Sequence, residues 1–248
     1  MNGELSQICE IVICTRRALR DDLPLDFAPA QYVNHIGFSF IDKSRGSAGS
    51  VSQWLEALRN IGIADIKCIF PTTTDNRNHL GFSDMTKSSI ACFPKSGTAT
   101  YFAPEWGFDH HNKLWEVLYR EHEFETPPNV IPTFCDNTED FKQVLAEIAA
   151  LAKKIGAQRF FDVFRSAFDY LDSKTCSDRH SFTAGLPERN RALYSAAHCA
   201  DVFGAMGSWN DEPPHMAYEK GLGHEYNRLS DLLFTQIRLA LLYAVNEF

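Results

Sequence analysis

Residues 35–70, HIGFSFIDKSRGSAGSVSQWLEALRNIGIADIKCIF, contain the pattern that decides the fold of the N-terminal half. Residues 35–42 alternate apolar with small side chains, which is typical of a strand with one buried face. Residues 51–62 repeat apolar side chains at helical spacing and end in a glycine, which favours a helix. Residues 64–70 again indicate a strand. The order strand, glycine-containing loop, helix and strand predicts a sheet covered by helices.

Elements on either side extend this pattern. Residues 5–20 fit a helix, although EIVIC within them also fits a strand. The segments SIACFP and TATYF, joined by KSG at 95–97, predict a hairpin. Asp109 then predicts the N-cap of a helix carrying Leu114, Trp115 and Leu118. We therefore expect a mixed β-sheet with flanking helices over 1–125.

The second half of the chain is predicted to be mainly helical. TPPN at 126–129 is the best internal boundary, and NVIPTF after it predicts a last edge strand that contains Pro132. Four further segments predict helices, namely 139–155, a helix carrying the apolar residues from Phe160 to Leu171, a helix after Pro187 that contains Leu193 to Ala200, and about 217–245, the last with a weak point at GLG (221–223). The prediction is one α+β domain over 1–248, with a sub-boundary near 126–129 between a mixed part (1–125) and a mainly helical part (130–248).

The stretch FGAMGSWNDEPPH, residues 203–215, interrupts these helices. Residues that favour turns or restrict the backbone are Gly204, Gly207, Asn210, Asp211, Pro213 and Pro214. The two prolines predict that no helix runs through this stretch. We expect Trp209 to attach the loop to the core, and contact with a partner or stacking on a ligand are the alternatives.

The composition excludes several classes of function. With 32 acidic and 24 basic residues the formal charge is −8, which disfavours nucleic acid as a partner because phosphates require Lys and Arg. The seven cysteines form no C-x-x-C pair, which fits a reducing compartment. The first residues lack the basic region of a signal peptide, and no apolar run reaches about 18 residues. We therefore expect a soluble cytoplasmic protein without a membrane partner.

No residues form a recognisable catalytic or metal-binding motif. His111 and His122 share a face of the predicted helix, but a rise of 1.5 Å per residue separates them by about 16 Å, too far for one metal ion. Cys135 precedes an aspartate and Cys176 lies four residues before His180, yet neither shows the neighbouring base that a nucleophile needs. We predict no metal and no cofactor, leave the catalytic residues unknown, and favour a non-enzymatic function.

The loop between the first strand and its helix is the one candidate for an anion-binding site. Arg45, Gly46, Gly49 and Ser50 precede the helix that begins at Val51. Free N–H groups at a helix N-terminus bind anions, and an arginine can assist. The alternative function is therefore an enzyme or binding protein for a small phosphate-bearing ligand at 45–50. Turn formation by the glycines and capping by Ser50 explain the same residues without a ligand.

Acidic residues are concentrated between Glu105 and Asp140, a segment that contains nine acidic and two basic residues. This segment has a net charge of −7, compared with −8 for the whole chain. A solvated face is the usual explanation, but such a surface can also steer a basic partner. The candidate partner-binding residues are Glu116, Glu121, Glu123, Glu125 and Asp136, together with Trp209, Asn210 and Asp211.

The segment GAMGSWND (204–211) and the final EYNRLSDLLFTQIRLALLYAVNEF (225–248) resemble the C-terminal ends of uncharacterised bacterial proteins with a GxMGSWND-like segment. Proteins of that kind are small and acidic, and many resemble toxin-neutralising immunity proteins. The resemblance implies no catalytic residues. It implies a bacterial protein-binding function, with neutralisation of a basic or nuclease-like protein as its specific form.

Overall fold

The computed structural model describes residues 1, 3–74, 87–172, 181–204 and 206–248. The strands in these residues are β1 (Val33–Ser39), β2 (Ser47–Ala48), β3 (Ile63–Ile69), β4 (Ser89–Pro94), β5 (Thr100–Asp109) and β6 (Leu114–Glu123). The α-helices are α1 (Gly3–Asp21), α2 (Val51–Asn60), α3 (Thr138–Ile155), α4 (Gln158–Asp172), α5 (Glu188–Ala200), α6 (Pro213–Glu219) and α7 (Gly223–Asn246). None of these helices combines the length and apolar character that a bilayer span requires. This is the predicted α+β class, with a mixed sheet in the N-terminal half and helices in the C-terminal half.

The six strands form one sheet in the order β2-β1-β6-β5-β4-β3. β1 and β6 pair in parallel, and the other neighbours pair antiparallel. The parallel pair joins strands that are far apart in the chain, whereas β3 to β6 follow one another as a meander. β6 therefore lies in the middle of the sheet, between β1 and β5.

The chain divides into two compact units. We call residues 5–69 and 87–133 the sheet unit, and the described residues of 1–4, 70–86 and 134–248 the helical unit. The last change from one unit to the other falls between Thr133 and Phe134, shortly after the predicted sub-boundary at 126–129.

Aromatic rings fill the core of the sheet unit. Phe38 of β1 stacks on Trp54 of α2, with ring centroids 4.3 Å apart, and on Tyr119 of β6 at 5.1 Å. Phe102 of β5 packs edge-on against Phe38 and Trp54. The hydroxyl of Tyr119 donates to Gln7 Oε1 on α1 at 3.0 Å. Helices α1 and α2 therefore cover the same face of the sheet, which is the arrangement that the 35–70 pattern predicts.

Two predictions in the middle of the chain are wrong. Asp109 does not begin a helix, because residues 100–123 form the β5–β6 hairpin. The Asp109 carboxylate does accept from backbone N–H groups, but these belong to the hairpin turn, with His111 N at 2.8 Å. In addition, residues 129–134 form no strand.

The helices predicted for the helical unit are present, and local chemistry explains where they begin and end. α3 ends at Gly156, whose φ of +88° places it in the left-handed region that glycine tolerates best. The weak point predicted at 221–223 is a complete break between α6 and α7, with Gly221 at φ +70°. The prediction that the prolines exclude a helix is wrong, because Pro213 begins α6. The N–H groups of the first helical turn have no acceptor within the helix, so proline, which lacks an N–H, is accepted there.

Trp209 attaches the 203–215 loop to the core of the helical unit, as predicted. Its side chain is fully buried and lies edge-on to Phe160 and Phe164 of α4. The indole N–H donates to Ser230 Oγ at 2.8 Å, and the Tyr226 hydroxyl donates to the Trp209 carbonyl at 2.7 Å. The loop is thus held by both the side chain and the backbone of one residue.

Replacing Trp209 with alanine should strongly destabilise the helical unit. The change removes a fully buried ring and leaves a cavity, so we expect the free energy of unfolding to fall by about 3–5 kcal/mol. Tyr218→Ala is the control, because Tyr218 is 78% exposed and its loss should change stability by about 0.5 kcal/mol or less. Urea denaturation followed by circular dichroism measures both variants. Equal stability of the two variants would contradict this assignment.

Candidate functional site

The β5–β6 hairpin extends beyond its neighbour β4. β5 pairs with β6 along its whole length, from Thr100 opposite Glu123 to Asp109 opposite Leu114. Only residues 100–102 of β5 pair with β4. Within the described residues, the distal part of the hairpin, 103–118, is therefore supported on the β5 side by no other strand.

Three aromatic side chains form a cluster on this distal part. Trp115 of β6 packs edge-on against Phe108, its cross-strand partner, at 5.1 Å between ring centroids, and against Trp106 at 5.9 Å. Phe108 is 40% exposed and both tryptophans are half-buried. We call Trp106, Phe108 and Trp115 the hairpin cluster. Because side chains alternate along a strand, the cluster lies on the same face as the buried Tyr119.

Tyr32 lies just before β1, and Glu10 lies on α1. The backbone N–H of Trp115 donates to the Tyr32 carbonyl at 2.9 Å, and Tyr32 is 44% exposed. Burial and the nearby charge of Glu10 raise the pKa of the Tyr32 hydroxyl. Burial also raises the pKa of the Glu10 carboxyl to about 7. Among the described residues, no cation forms an ion pair with Glu10.

The predicted acidic surface is not gathered in one place. Glu116, Glu123 and Glu125 are exposed. Glu116 and Glu123 are seven residues apart on β6, so at about 3.3 Å per residue they lie about 23 Å apart. An odd separation also places them on opposite faces of the strand. Asp136 belongs to the helical unit, whereas these three belong to the sheet unit.

Glu121 is a structural residue, and its assignment to a binding surface is wrong. Its side chain is only 9% exposed. One carboxylate oxygen accepts from the Ile41 N–H at 3.0 Å, and the other accepts from the Thr100 hydroxyl at 2.8 Å. It therefore ties the chain after β1 and the start of β5 to the central strand β6.

The other candidate partner residues lie in the helical unit, where most of them make internal contacts. The Asp136 carboxylate accepts from Thr138 N at 2.9 Å at the start of α3 and forms an ion pair with Arg189. The Asp211 carboxylate accepts from Gly207 N at 2.7 Å, and the Asn210 N–H donates to Ser208 Oγ at 3.2 Å. Trp209 is fully buried, so its use as a partner contact is wrong.

The structure separates the residues of the predicted anion site. Gly49 and Ser50 line a cavity of about 190 Å³ at the start of α2, together with His35 and Asn34. Arg45 and Gly46 lie outside its lining, and Arg45 instead approaches Asp42 at 3.5 Å. Two backbone N–H groups at this helix end already have acceptors, because Gln53 N donates to Ser50 Oγ and Gly49 N donates to Gln53 Oε1. The cationic part of the predicted site is therefore missing from the cavity.

A larger cavity, of about 370 Å³, lies in the helical unit between the start of α4 and the 203–215 loop. Its walls include the oppositely charged Arg159 and Glu212 and the apolar Phe160 and Met216. The Ser208 hydroxyl in its lining donates to the Gly204 carbonyl at 2.9 Å. This cavity combines opposite charges with apolar walls, and its composition identifies no ligand class.

The part of the chain that the structure describes shows no arrangement of side chains that supports a metal site or a catalytic nucleophile. No group of three or more His, Cys, Asp or Glu side chains there is placed to hold a metal ion. His111 lies in the hairpin turn and His122 on β6, not on a shared helix. Cys135 is exposed, and the Cys176–His180 pair lies outside the described residues.

Comparison of the chain with protein-family models, curated proteins and solved structures finds no match. On geometry alone, the hairpin cluster is the best-supported candidate site. The sequence prediction missed it because residues 109–122 were assigned to a helix. The signal that indicates it is strict alternation, since Trp106 and Phe108 on one strand face Val117 and Trp115 on the next.

Removing the Glu121 carboxylate should destabilise the sheet unit. Glu121→Ala leaves the Ile41 N–H and the Thr100 hydroxyl without their acceptor, so we expect a loss of about 2–3 kcal/mol in the free energy of unfolding. Glu123→Ala, two residues away and exposed, should change it by about 0.5 kcal/mol or less. Chemical denaturation followed by tryptophan fluorescence compares the two variants. A neutral Glu121→Ala would show that the two hydrogen bonds do not stabilise the fold.

Glu10 should make stability depend on pH in the direction opposite to most carboxylates. Its pKa is about 7 in the folded chain and 4.5 without the fold, so the unfolded chain releases the proton first. Stability should therefore fall as the pH rises from 4.5 to 7 and then stay level. Glu10→Gln should be more stable than the natural protein by about 1 kcal/mol at pH 8, after allowance for solvent screening, and equal to it at pH 4. Thermal unfolding at both pH values tests this, and a difference at pH 4 equal to that at pH 8 would refute it.

Proposed function

We propose that the protein binds another protein through the hairpin cluster and acts without catalysis. The observation that supports this most directly is that Phe108 is exposed, and Trp106 and Trp115 are partly exposed, on a hairpin that extends beyond the neighbouring strand β4. Aromatic side chains dominate the binding energy of protein interfaces, because they bury a large area at a small cost in side-chain entropy. The cluster provides such a surface without further folding.

The partner that best suits this surface is basic. The chain has a formal charge of −8, and segment 105–140 accounts for most of it. Glu116 and Glu123 on the hairpin, and Glu125 beyond it, are exposed carboxylates that can attract a positively charged protein. These charges are too dispersed to form the contact itself, so they would steer the partner and the aromatic rings would hold it.

The specific function that we propose is neutralisation of a basic, nuclease-like toxin, as in immunity proteins. Proteins that bind nucleic acid need Lys and Arg at their phosphate-binding surface, and an acidic partner can block that surface. The likeness of the C-terminal segment to uncharacterised bacterial proteins favours the same function. We propose the cytoplasm as its location, which agrees with the free thiols of the six cysteines that the structure describes.

The hairpin cluster should be required for partner capture. We expect Phe108→Ala to weaken capture of the partner from a native cell extract about 10-fold, because truncation of an interface aromatic costs 1–2 kcal/mol or more. The triple variant Trp106→Leu, Phe108→Leu, Trp115→Leu should abolish it. Affinity purification with quantitative mass spectrometry measures the captured protein.

Exposed apolar residues elsewhere provide the matched control. Met206 is 95% exposed and Tyr218 is 78% exposed, and both lie in the helical unit. Met206→Ala combined with Tyr218→Ala should leave capture unchanged. If this double variant loses the partner and the triple hairpin variant keeps it, the binding surface lies in the helical unit and the proposal is wrong.

A further inference from the structure

The distal part of β5 has a backbone edge that β4 does not cover. β4 pairs with β5 only along residues 100–102, and its last pair is Ile90 opposite Phe102. The chain before β4 leaves the line of the strand at Lys87, whose φ of +46° lies in the left-handed region and not in the extended one. Residues 103–109 therefore form an edge of about 23 Å, at about 3.3 Å per residue, along which no other strand of the described chain runs.

The register shows which backbone groups point out of this edge. The Trp115 N–H donates to the Tyr32 carbonyl next to β1, so the backbone of Trp115 bonds towards β1 and not towards β5. Its cross-strand partner Phe108 therefore turns its own N–H and C=O away from β6. Alternation along the strand gives the backbone groups of Trp106 and Pro104 the same direction. Pro104 agrees with this assignment, because a residue without an N–H costs no bond to β6 at such a position.

The side chains beside this edge differ between the two faces of the hairpin. The hairpin cluster occupies one face. The register places Glu105 and Asp109 of β5 and Glu116 of β6 on the other face, together with Arg120, which pairs with Glu105 at 2.8 Å. Lys113 lies beyond them in the turn at the hairpin tip. A strand added to this edge therefore meets aromatic rings on one face and an excess of acidic residues on the other.

We propose that the partner adds a β-strand to this edge and pairs its backbone with Trp106 and Phe108. This inference rests on the proposed function and names the mode of contact. The outward N–H and C=O groups of an edge strand are a template for an extended chain, which gains affinity from main-chain hydrogen bonds. Side chains of paired residues lie on the same face, so the residues opposite Trp106 and Phe108 should be apolar and those between them basic. The partner segment is therefore an extended one in which apolar and basic residues alternate.

A second copy of the chain suits this edge less well than a basic partner. Two copies paired through β5 would bring Glu105 and Asp109 of both together, and like charges on neighbouring strands are destabilising. Proline on an edge strand also opposes edge-to-edge association, and Pro104 lies on this edge. A basic strand avoids the repulsion of like charges.

Amide hydrogen exchange of the free protein, followed by NMR, tests the edge itself. The N–H groups of Glu105 and Gly107 bond to β6, so we expect those of Trp106 and Phe108 to exchange at least about 10-fold faster. Slow exchange at Trp106 and Phe108 in the free monomer overturns the inference, because the chain itself then covers the edge. Protection that appears only as concentration rises, together with a dimer in light scattering, also overturns it, because a second copy then occupies the edge.

Four synthetic heptapeptides test strand addition. The first alternates lysine with valine (KVKVKVK), and the second has the same composition in blocks (KKVVVKK). The third and fourth are the alternating peptide with N-methyl groups on its valines or on its lysines. A residue directly opposite Trp106 or Phe108 shares its face and exchanges both backbone bonds with it, so the valine N–H groups point towards β5 and the lysine N–H groups away from it.

We expect the alternating peptide to bind at least about 10-fold more tightly than the block peptide and the valine-methylated peptide. The lysine-methylated peptide is the matched control and should bind within about 2-fold of the unmethylated one. Binding should also slow amide exchange at Trp106 and Phe108. Equal affinity of all four peptides overturns strand addition, because charge alone then explains the binding.

Phe108→Pro and Phe108→Ala form a matched pair for partner capture. Both variants lose the ring, but only the proline variant loses the N–H that points out of the edge, so it should capture the partner about 5-fold less than the alanine variant. Thermal unfolding shows whether both variants are folded, and the peptide comparison decides where the proline variant is not.

The outcomes separate this inference from the proposed function. Equal capture by the two folded Phe108 variants overturns strand addition, and loss of capture in the triple hairpin variant then leaves the proposed function standing. Capture that persists in the triple variant refutes the proposed function, whichever peptide binds.

Discussion

The register of β6 between β1 and β5 is the constraint on which the sheet unit depends. Side chains alternate along a strand, so one register assigns Trp115, Val117, Tyr119 and Glu121 to the same face. On that face Tyr119 stacks against Phe38, Glu121 holds two neighbouring segments, and Trp115 reaches the exposed end. A shift of one residue would turn all of these side chains to the other face and leave the polar Glu116, Arg120 and His122 towards the helices. The aromatic core, the hydrogen-bonded Glu121 carboxylate and the hairpin cluster therefore all depend on the register of β6.

The sequence could predict those parts of the fold whose causes are local. The stripe of α3 and its left-handed glycine, and the strand–helix–strand order of 35–70, depend on spacing and turn chemistry within a few residues. The β5–β6 hairpin could not be predicted from local spacing in this way. His111, Trp115, Leu118 and His122 fit a helical stripe, while residues 115 to 121 also fit a strand. Pairing of β6 with β1, about 80 residues earlier, decided between them, and a local pattern contains no information about such a partner.

The candidate site was missed for a related reason, because charge was counted along the chain and not in space. Nine acids in 36 residues suggested a surface, yet one is buried, one accepts from the first turn of a helix in the other unit, and the exposed ones are divided among both faces of the hairpin, the residues after it and the start of α3. A strand moves about 3.3 Å per residue, so neighbours in sequence separate quickly. In the 203–215 segment the attachment of Trp209 to the core was predicted correctly, whereas the prolines were wrongly expected to exclude a helix. The signal of the hairpin cluster is cross-strand pairing, which becomes visible only with the correct register.

The four tryptophans show how burial separates structural from functional aromatic residues in this chain. Trp54 and Trp209 are fully buried and surrounded by other rings, so the stability of each unit is sufficient to explain them. Trp106 and Trp115 lie half-buried on a part of the hairpin that β4 does not reach. Completing the sheet would require no more of β5 than the three residues that pair with β4. β1 pairs with β6 on the other side of this part as far as Trp115, and cross-strand aromatic pairs add to its stability, so the hairpin keeps its shape without β4 while part of the ring surface stays open to solvent. A partly exposed aromatic surface of this kind adds little to the core and is well suited to bind a partner, which is why the hairpin rather than the acidic segment carries the functional proposal.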